Sequence, residues 1–232
     1  MTLPDAKSRR VLGTILTLVC SLPLAAFLGL TAQAQPVFPE FNSRAEAVAA
    51  LENPDARQRA AGVIYIARTG LAPDGPLLVK RLGDDSPIVR QLAEAGAWQV
   101  WSRSGDPETD RLLAAGSKQM SAGQLPQAIA TFARVIRRQP AFAEGWNKRA
   151  TAYFLAGDFK KSLADCDEVI KRNPEHFGAL SGYGQIYVRL EEFDKALEYF
   201  RRALAVNPNM AGVETNIRVI EDRQREKRRK MI

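Results

Sequence analysis

Three prolines, Pro140, Pro174 and Pro208, stand 34 residues apart (140 to 174, 174 to 208), and this spacing constrains the fold more than any other feature. Proline lacks the N–H that a helix interior needs and its ring clashes with the preceding turn, so each marks the same stop in a repeated unit. Other positions keep the same interval. Gly123 pairs with Gly157, Leu125 with Phe159 and Phe193, Ala128 with Ser162 and Ala196, and Phe132 with Cys166 and Phe200. Ala115-Gly116, Arg149-Ala150 and Tyr183-Gly184 share the register. In the middle unit Trp146, Ala150, Tyr153 and Phe154 fall on one helical face over 144–155. Leu163, Cys166, Val169 and Ile170 do the same over 159–172. Ala156-Gly157-Asp158 separates the two segments, and its glycine gives the backbone a tight turn. The pattern predicts a helical hairpin with too little apolar surface to stand alone, which must stack on copies of itself.

A 34-residue period with a small residue, a turn glycine, an alanine, an aromatic and a closing proline resembles the tetratricopeptide repeat. The resemblance covers three units, 109–142, 143–176 and 177–210. Glu191 replaces the turn glycine in the third unit, Gln119 stands where the others carry Tyr153 and Tyr187, and Leu112 stands in the place of Trp146. The first unit is therefore expected to be the least regular. The resemblance implies an all-α chain, an α-solenoid in which hairpins coil into a right-handed superhelix. The first helix of each unit then lines a concave groove that takes a protein partner, as an extended peptide or a helix. Carried onto this chain, the groove residues are Met120, Glu144, Asn147, Thr151, Phe154, Gln185 and Arg189, flanked by Leu113, Ser117, Leu155, Ser181 and Val188. Asn147, Gln185 and Arg189 are suited to bond a peptide backbone or carboxylate, and Met120 and Phe154 to hold an apolar side chain. Some members of the family grip the acidic C-termini of chaperones with lysines and asparagines. Leu113, Gly178 and Gly182 stand at those places here, so that specificity is not supported. Ala128 and Ala196 are expected where paired helices cross, and Phe132, Tyr153, Tyr187 and Phe200 buried between units. Residues 211–232 supply a cap, with an apolar stripe of Val213, Ile217 and Ile220 followed by a basic tail.

Upstream, residues 43–105 predict four helices, at 43–51, 54–68, 73–82 and 87–102, with Asn53-Pro54 and Ser86-Pro87 as start signals. The second and fourth repeat each other weakly. Ala56-Arg57 with Ala60 matches Val89-Arg90 with Ala93, at an offset of 33 between the arginines (57 to 90), and Tyr65 matches Trp98. LGDDSPIVRQLAEAGAWQVW resembles a HEAT-type repeat, and an irregular helical bundle capping the repeats is the alternative. Arg57 and Arg90 are expected to bond within or between these units. The short joint at 104–107 is expected to keep the helical stack continuous.

The N-terminus reads as an export segment. Lys7, Arg9 and Arg10 precede an apolar run over 11–31, and Ala32-Gln33-Ala34 is a small-x-small cleavage signal. The reading is a signal peptide over 1–34 and a linker over 35–42, giving a periplasmic or secreted protein. An uncleaved membrane anchor facing the periplasm is the alternative, since the run approaches the ~20 residues that span a bilayer. Ser8-Arg9-Arg10 also resembles a twin-arginine signal, with Gly13 where another large apolar residue is expected. The formal net charge is +7, and much of the excess lies in the last dozen residues. That tail is a solvated helix end or a contact for an anionic membrane or acidic partner, and no nucleic-acid role is expected. Beyond the export segment only Cys166 remains, on an apolar helical face, so a buried small hydrophobe is expected. The single histidine, His176, has no nucleophile or ligand cluster beside it in sequence, and no phosphate-binding glycine loop occurs. No catalytic, cofactor or metal residues are assigned. An envelope hydrolase or its regulator would need a pocket that these residues do not reveal.

Overall fold

In the computed structural model the described residues are 38–230, and they lie within one compact unit that begins at Phe38. The export segment at 1–34 and its apolar run at 11–31 lie outside them. Every regular element among the described residues is helical. The predicted upstream helices form as α1 (Arg44–Ala50), α2 (Ala56–Thr69), α3 (Gly75–Val79) and α4 (Pro87–Trp101). Two 3-10 turns, Ala72–Asp74 and Lys80–Gly83, flank α3, so the segment expected as one helix over 73–82 is broken. Gly75 and Pro76 at its start account for part of this. A Cβ on Gly75 would strike the Trp101 indole, so the chain needs glycine at that approach.

The arginines correct the repeat register. Arg59 Nη1 donates to the carbonyls of Asn53 and Pro54, six and five residues back, at 2.9 Å each. Arg90 Nη1 donates to the carbonyls of Asp84 and Asp85, also six and five residues back, at 2.8 and 3.1 Å. Arg59, not Arg57, is thus the partner of Arg90, and Arg57 is exposed. The offset is 31 (59 to 90), matching helix starts at Ala56 and Pro87. Arg59 also bonds both oxygens of Asp84 at 2.8 Å and pairs with Asp85. Burial would raise the Asp84 carboxyl, but the Arg59 guanidinium, the Ser86 N–H and Asp85 together hold it below the usual range.

The repeats form as α5 (Pro107–Ser121) with α6 (Leu125–Arg138), α7 (Ala143–Leu155) with α8 (Phe159–Arg172), and α9 (Phe177–Arg189) with α10 (Phe193–Val206). Helix α11 (Ala211–Arg229) closes the array, burying Val213 and Ile220 against α10. The first and third hairpins are each locked by a glycine facing a phenylalanine. Gly116 lies under Phe132 and Gly184 under Phe200, and a Cβ at either glycine would run into the ring. The middle unit narrows the difference in size, with Ala150 beside Cys166 in one core cluster. Ala128 and Ala196 are fully buried, as are Phe132 and Phe200. Tyr153 and Tyr187, expected to be buried, are only partly so. Their rings keep an open side that carries cations: Lys161 Nζ lies 5.4 Å from the Tyr153 centroid and Lys195 Nζ 5.2 Å from that of Tyr187.

The two hairpin turns with glycine, Gly123 and Gly157, take φ of 72° and 79°. The third places Glu191 at φ 60°, in a region where an L side chain crowds its own carbonyl. Helices α5, α7 and α9 touch in sequence along one face, which is the inner face of the array.

The joint does not continue the stack. Arg111, Ala114 and Lys118, on the leading side of α5, are exposed, so none of α1–α4 covers the first repeat there. The N-terminal helices lie against the repeats instead. Ala72 packs with the cluster of Leu112 and Leu113, while α4 reaches the third repeat, where Trp98 and Trp101 meet His176 and Phe177. Asn209 then bonds the Leu82 carbonyl at 2.8 Å and Arg90 Nε at 3.1 Å. The chain reverses through Gly105 at φ 83°, with Ser104 tied to Asp110 and Arg103 to the Ala67 and Gly70 carbonyls.

Candidate partner-binding face

The inner face has five rows, each with one residue per repeat at 34-residue spacing. From the helix N-termini they are Asp110, Glu144 and Gly178; Leu113, Asn147 and Ser181; Ser117, Thr151 and Gln185; Met120, Phe154 and Val188; and Ser121, Leu155 and Arg189. Burial changes across them. Leu113, Asn147 and Ser181 are all buried, at 4%, 8% and 6% exposure, and Glu144 is 1% exposed. The third and fourth rows are half-buried, and the fifth is exposed, Leu155 by 48%.

The sealed half is closed by the N-terminal helices. Trp98 occupies the space above Gly178, where a Cβ would meet the indole. Trp101 stacks on the His176 ring with centroids 4.4 Å apart and planes at 19°, and Trp98 meets the same ring edge-on at 5.6 Å. His176 Nδ1 accepts the Ala179 N–H at 3.1 Å, capping α9. The neutral ring therefore carries its proton on Nε2 and donates it to Glu144 Oε2, 3.1 Å away. Asn147 donates to the same oxygen at 3.0 Å, and Lys148 Nζ stands 3.2 Å from Oε1. Burial favours the neutral acid, but the Lys148 charge and the His176 bond prevail and hold the Glu144 carboxyl below its usual range.

This corrects two groove residues. Glu144 and Asn147 bond each other under the α4 seam and present nothing to a partner. Met120, Thr151, Phe154, Gln185 and Arg189 remain on the open half. The Thr151 hydroxyl donates to the Asn147 carbonyl at 3.0 Å and the Ser117 hydroxyl to that of Leu113 at 2.9 Å, so both are engaged by their own helices. Arg189 lies over the Phe159 ring, 5.7 Å from its centroid. The residues that sequence reasoning missed are Trp98 and Trp101. Their large apolar surface at the end of α4 was a signal of burial, without a partner named.

The remaining candidate groups are structural. Cys166 is buried, and burial pushes its thiol up to about 12. No group of three or more His, Cys, Asp or Glu side chains able to hold a metal occurs among the described residues. No helix among them is long and apolar enough to cross a membrane. In α11, Arg223 covers Phe193 and Gln224 bonds Asp194, while Lys227 to Lys230 extend as an exposed cationic end.

A tetratricopeptide repeat family model matches residues 141–209. A tetratricopeptide repeat-containing protein of Rhizobium etli is 28% identical over 123 residues, which cover 53% of this chain and 60% of that protein. The Hsp70-Hsp90 organizing protein 1 of Glycine max is 27% identical over 114 residues, 49% of this chain and 20% of its own length. The chain thus spans less than two thirds of either relative. The crystal structure of the Sgt2 TPR domain from Aspergillus fumigatus aligns with a TM-score of 0.51 at 21% identity, over 53% of this chain and 83% of that one. That likeness is one of fold.

Proposed function

We propose that this chain, which carries three tetratricopeptide repeats over residues 109–210, is a non-catalytic scaffold that binds a protein partner on the open half of their inner face. The observation that carries the reading is the graded burial of the five rows. The second is buried throughout and the first holds the buried Glu144 between the half-buried Asp110 and Gly178, while the other three are half-buried or exposed, with the apolar Met120, Phe154 and Val188 beside the cationic Arg189. The Glycine max relative, named as an organizing protein of Hsp70 and Hsp90, supports a protein partner of some kind. The test is capture from a cell-envelope extract by the full chain and by its Phe154→Ala and Arg189→Ala variants. A partner held by the wild type should be lost from both. Retention of every captured partner by both variants would sink the proposal.

The location is proposed as periplasmic or secreted, from the charge, apolar run and cleavage signal of residues 1–34. A membrane-associated tether is the second reading, supported by the length of the 11–31 run and by the cationic end of α11, which suits anionic headgroups. N-terminal sequencing of the mature protein separates them, because a start at Gln35 removes the anchor.

A further inference from the structure

We infer that the segment taken by the open half of the inner face is an amphipathic helix and not an extended peptide. This rests on the reading of that half as the binding face. An extended segment brings unpaired N–H and C=O groups to the surface it covers, and burying them without partners is unfavourable. The groove must then supply donors and acceptors. Here the donors are largely engaged: the Ser117 and Thr151 hydroxyls bond their own helices, and the Asn147 amide is sealed against Glu144. Gln185, Arg189 and the exposed Ser121 hydroxyl are left as donors to serve a main chain that would cross three helices.

A helix satisfies its own backbone and asks only for apolar contact. The open half offers that in one row, Met120, Phe154 and Val188, with the exposed Leu155 beside it. Arg189 stands at the third-repeat end of this strip and has no carboxylate partner among the described residues. The complementary helix therefore carries apolar side chains at i, i+3 or i+4 and i+7, with an Asp or Glu beside that stripe. An acidic chain terminus is a poor fit for the other half, where Trp98 fills the space over Gly178 and the buried group is itself the Glu144 carboxylate.

The test is a random-peptide display selection on the full chain, with counter-selection on Phe154→Ala. Leu155→Asp serves as a second counter-selection, because its exposed site leaves the fold intact. Enriched sequences should show the helical apolar period with an acidic flank. One such peptide, synthesised, should gain helical circular dichroism on binding, lose about tenfold in affinity against Phe154→Ala, and fail to bind when proline replaces its central residue. Enriched peptides that tolerate the proline and bind without gaining helix would overturn the helical inference while leaving the open half as the binding face. A selection with no sequence sensitive to Phe154→Ala or Leu155→Asp would remove both.

Discussion

The two halves of the inner face are built from the same three helices, yet one is core and the other is surface. Helix α9 makes the contrast within two turns: Ser181 is 6% exposed and Arg189 is open to solvent. The repeats do not set this difference, since their geometry is equivalent at every row. It is imposed from outside them by the N-terminal segment, through α4 at the third repeat and Ala72 at the first. The rings of Trp98 and Trp101 close on His176 and Phe177, and Phe177 belongs to the same buried cluster as Ala47, Ile66 and Leu78. A solenoid face can thus be divided into a structural part and an accessible part by the chain's own flanking helices.

That division makes Trp101 the residue whose loss should matter most. It is 3% exposed and stacks on His176. Trp101→Ala should lower stability by about 3–5 kcal/mol, the range for truncating a buried large aromatic, read by equilibrium denaturation. A loss within about 0.5 kcal/mol, as at a surface site, would mean that α4 only rests on the repeats. Below the inner face, the different core pair of the middle hairpin gives the next effect. Cys166→Phe should cost about 1–3 kcal/mol by overpacking, and adding Ala150→Gly should restore most of it, because the other two hairpins pair glycine with phenylalanine. A double variant no better than the single one would show that the three cores are not equivalent.

Acid sharpens the sealed half. The folded-state value of Glu144 is lowered, so its contribution is present above the unfolded value of about 4.3 and is lost as pH falls through the lower folded value. Stability measured against pH should therefore fall less steeply in Glu144→Gln than in the wild type below about pH 4.5. Equal slopes would place the group outside the sealed half. The smallest effect lies at the open end. Glu191→Gly should raise stability by up to about 1 kcal/mol by relieving a left-handed side-chain residue, and a clear loss would assign Glu191 a contact that outweighs its strain.

The repeat array was legible because its signals are local and redundant. Pro140, Pro174 and Pro208 set a register that Ala128, Phe132 and Gly157 repeat independently. The upstream helices were legible too, through their proline starts, although Arg57 was paired with Arg90 where Arg59 belongs. The physical repeat is a guanidinium reaching carbonyls five and six residues back, and residue identity alone does not show that distance. The seam was not legible. Trp98 meets Gly178 across 80 positions (98 to 178), and no local pattern encodes such a pair. Gly178 was visible only as a place without a lysine or asparagine, with nothing to say that an indole stands over it. Glu144 and Asn147 consequently read as groove residues, since a polar side chain on a helix looks the same in sequence whether it faces water or a neighbour.

The central claim is that α4 divides the inner face, and thiol labelling on one helix tests it most directly. Ser181→Cys and Arg189→Cys are compared in a Cys20→Ser background, where the buried Cys166 stays unreactive. The account predicts that Arg189→Cys labels at nearly the rate of an unfolded peptide and that Ser181→Cys is slower by at least about a hundredfold, its reaction waiting on local opening. Labelling of both at the same rate would contradict it.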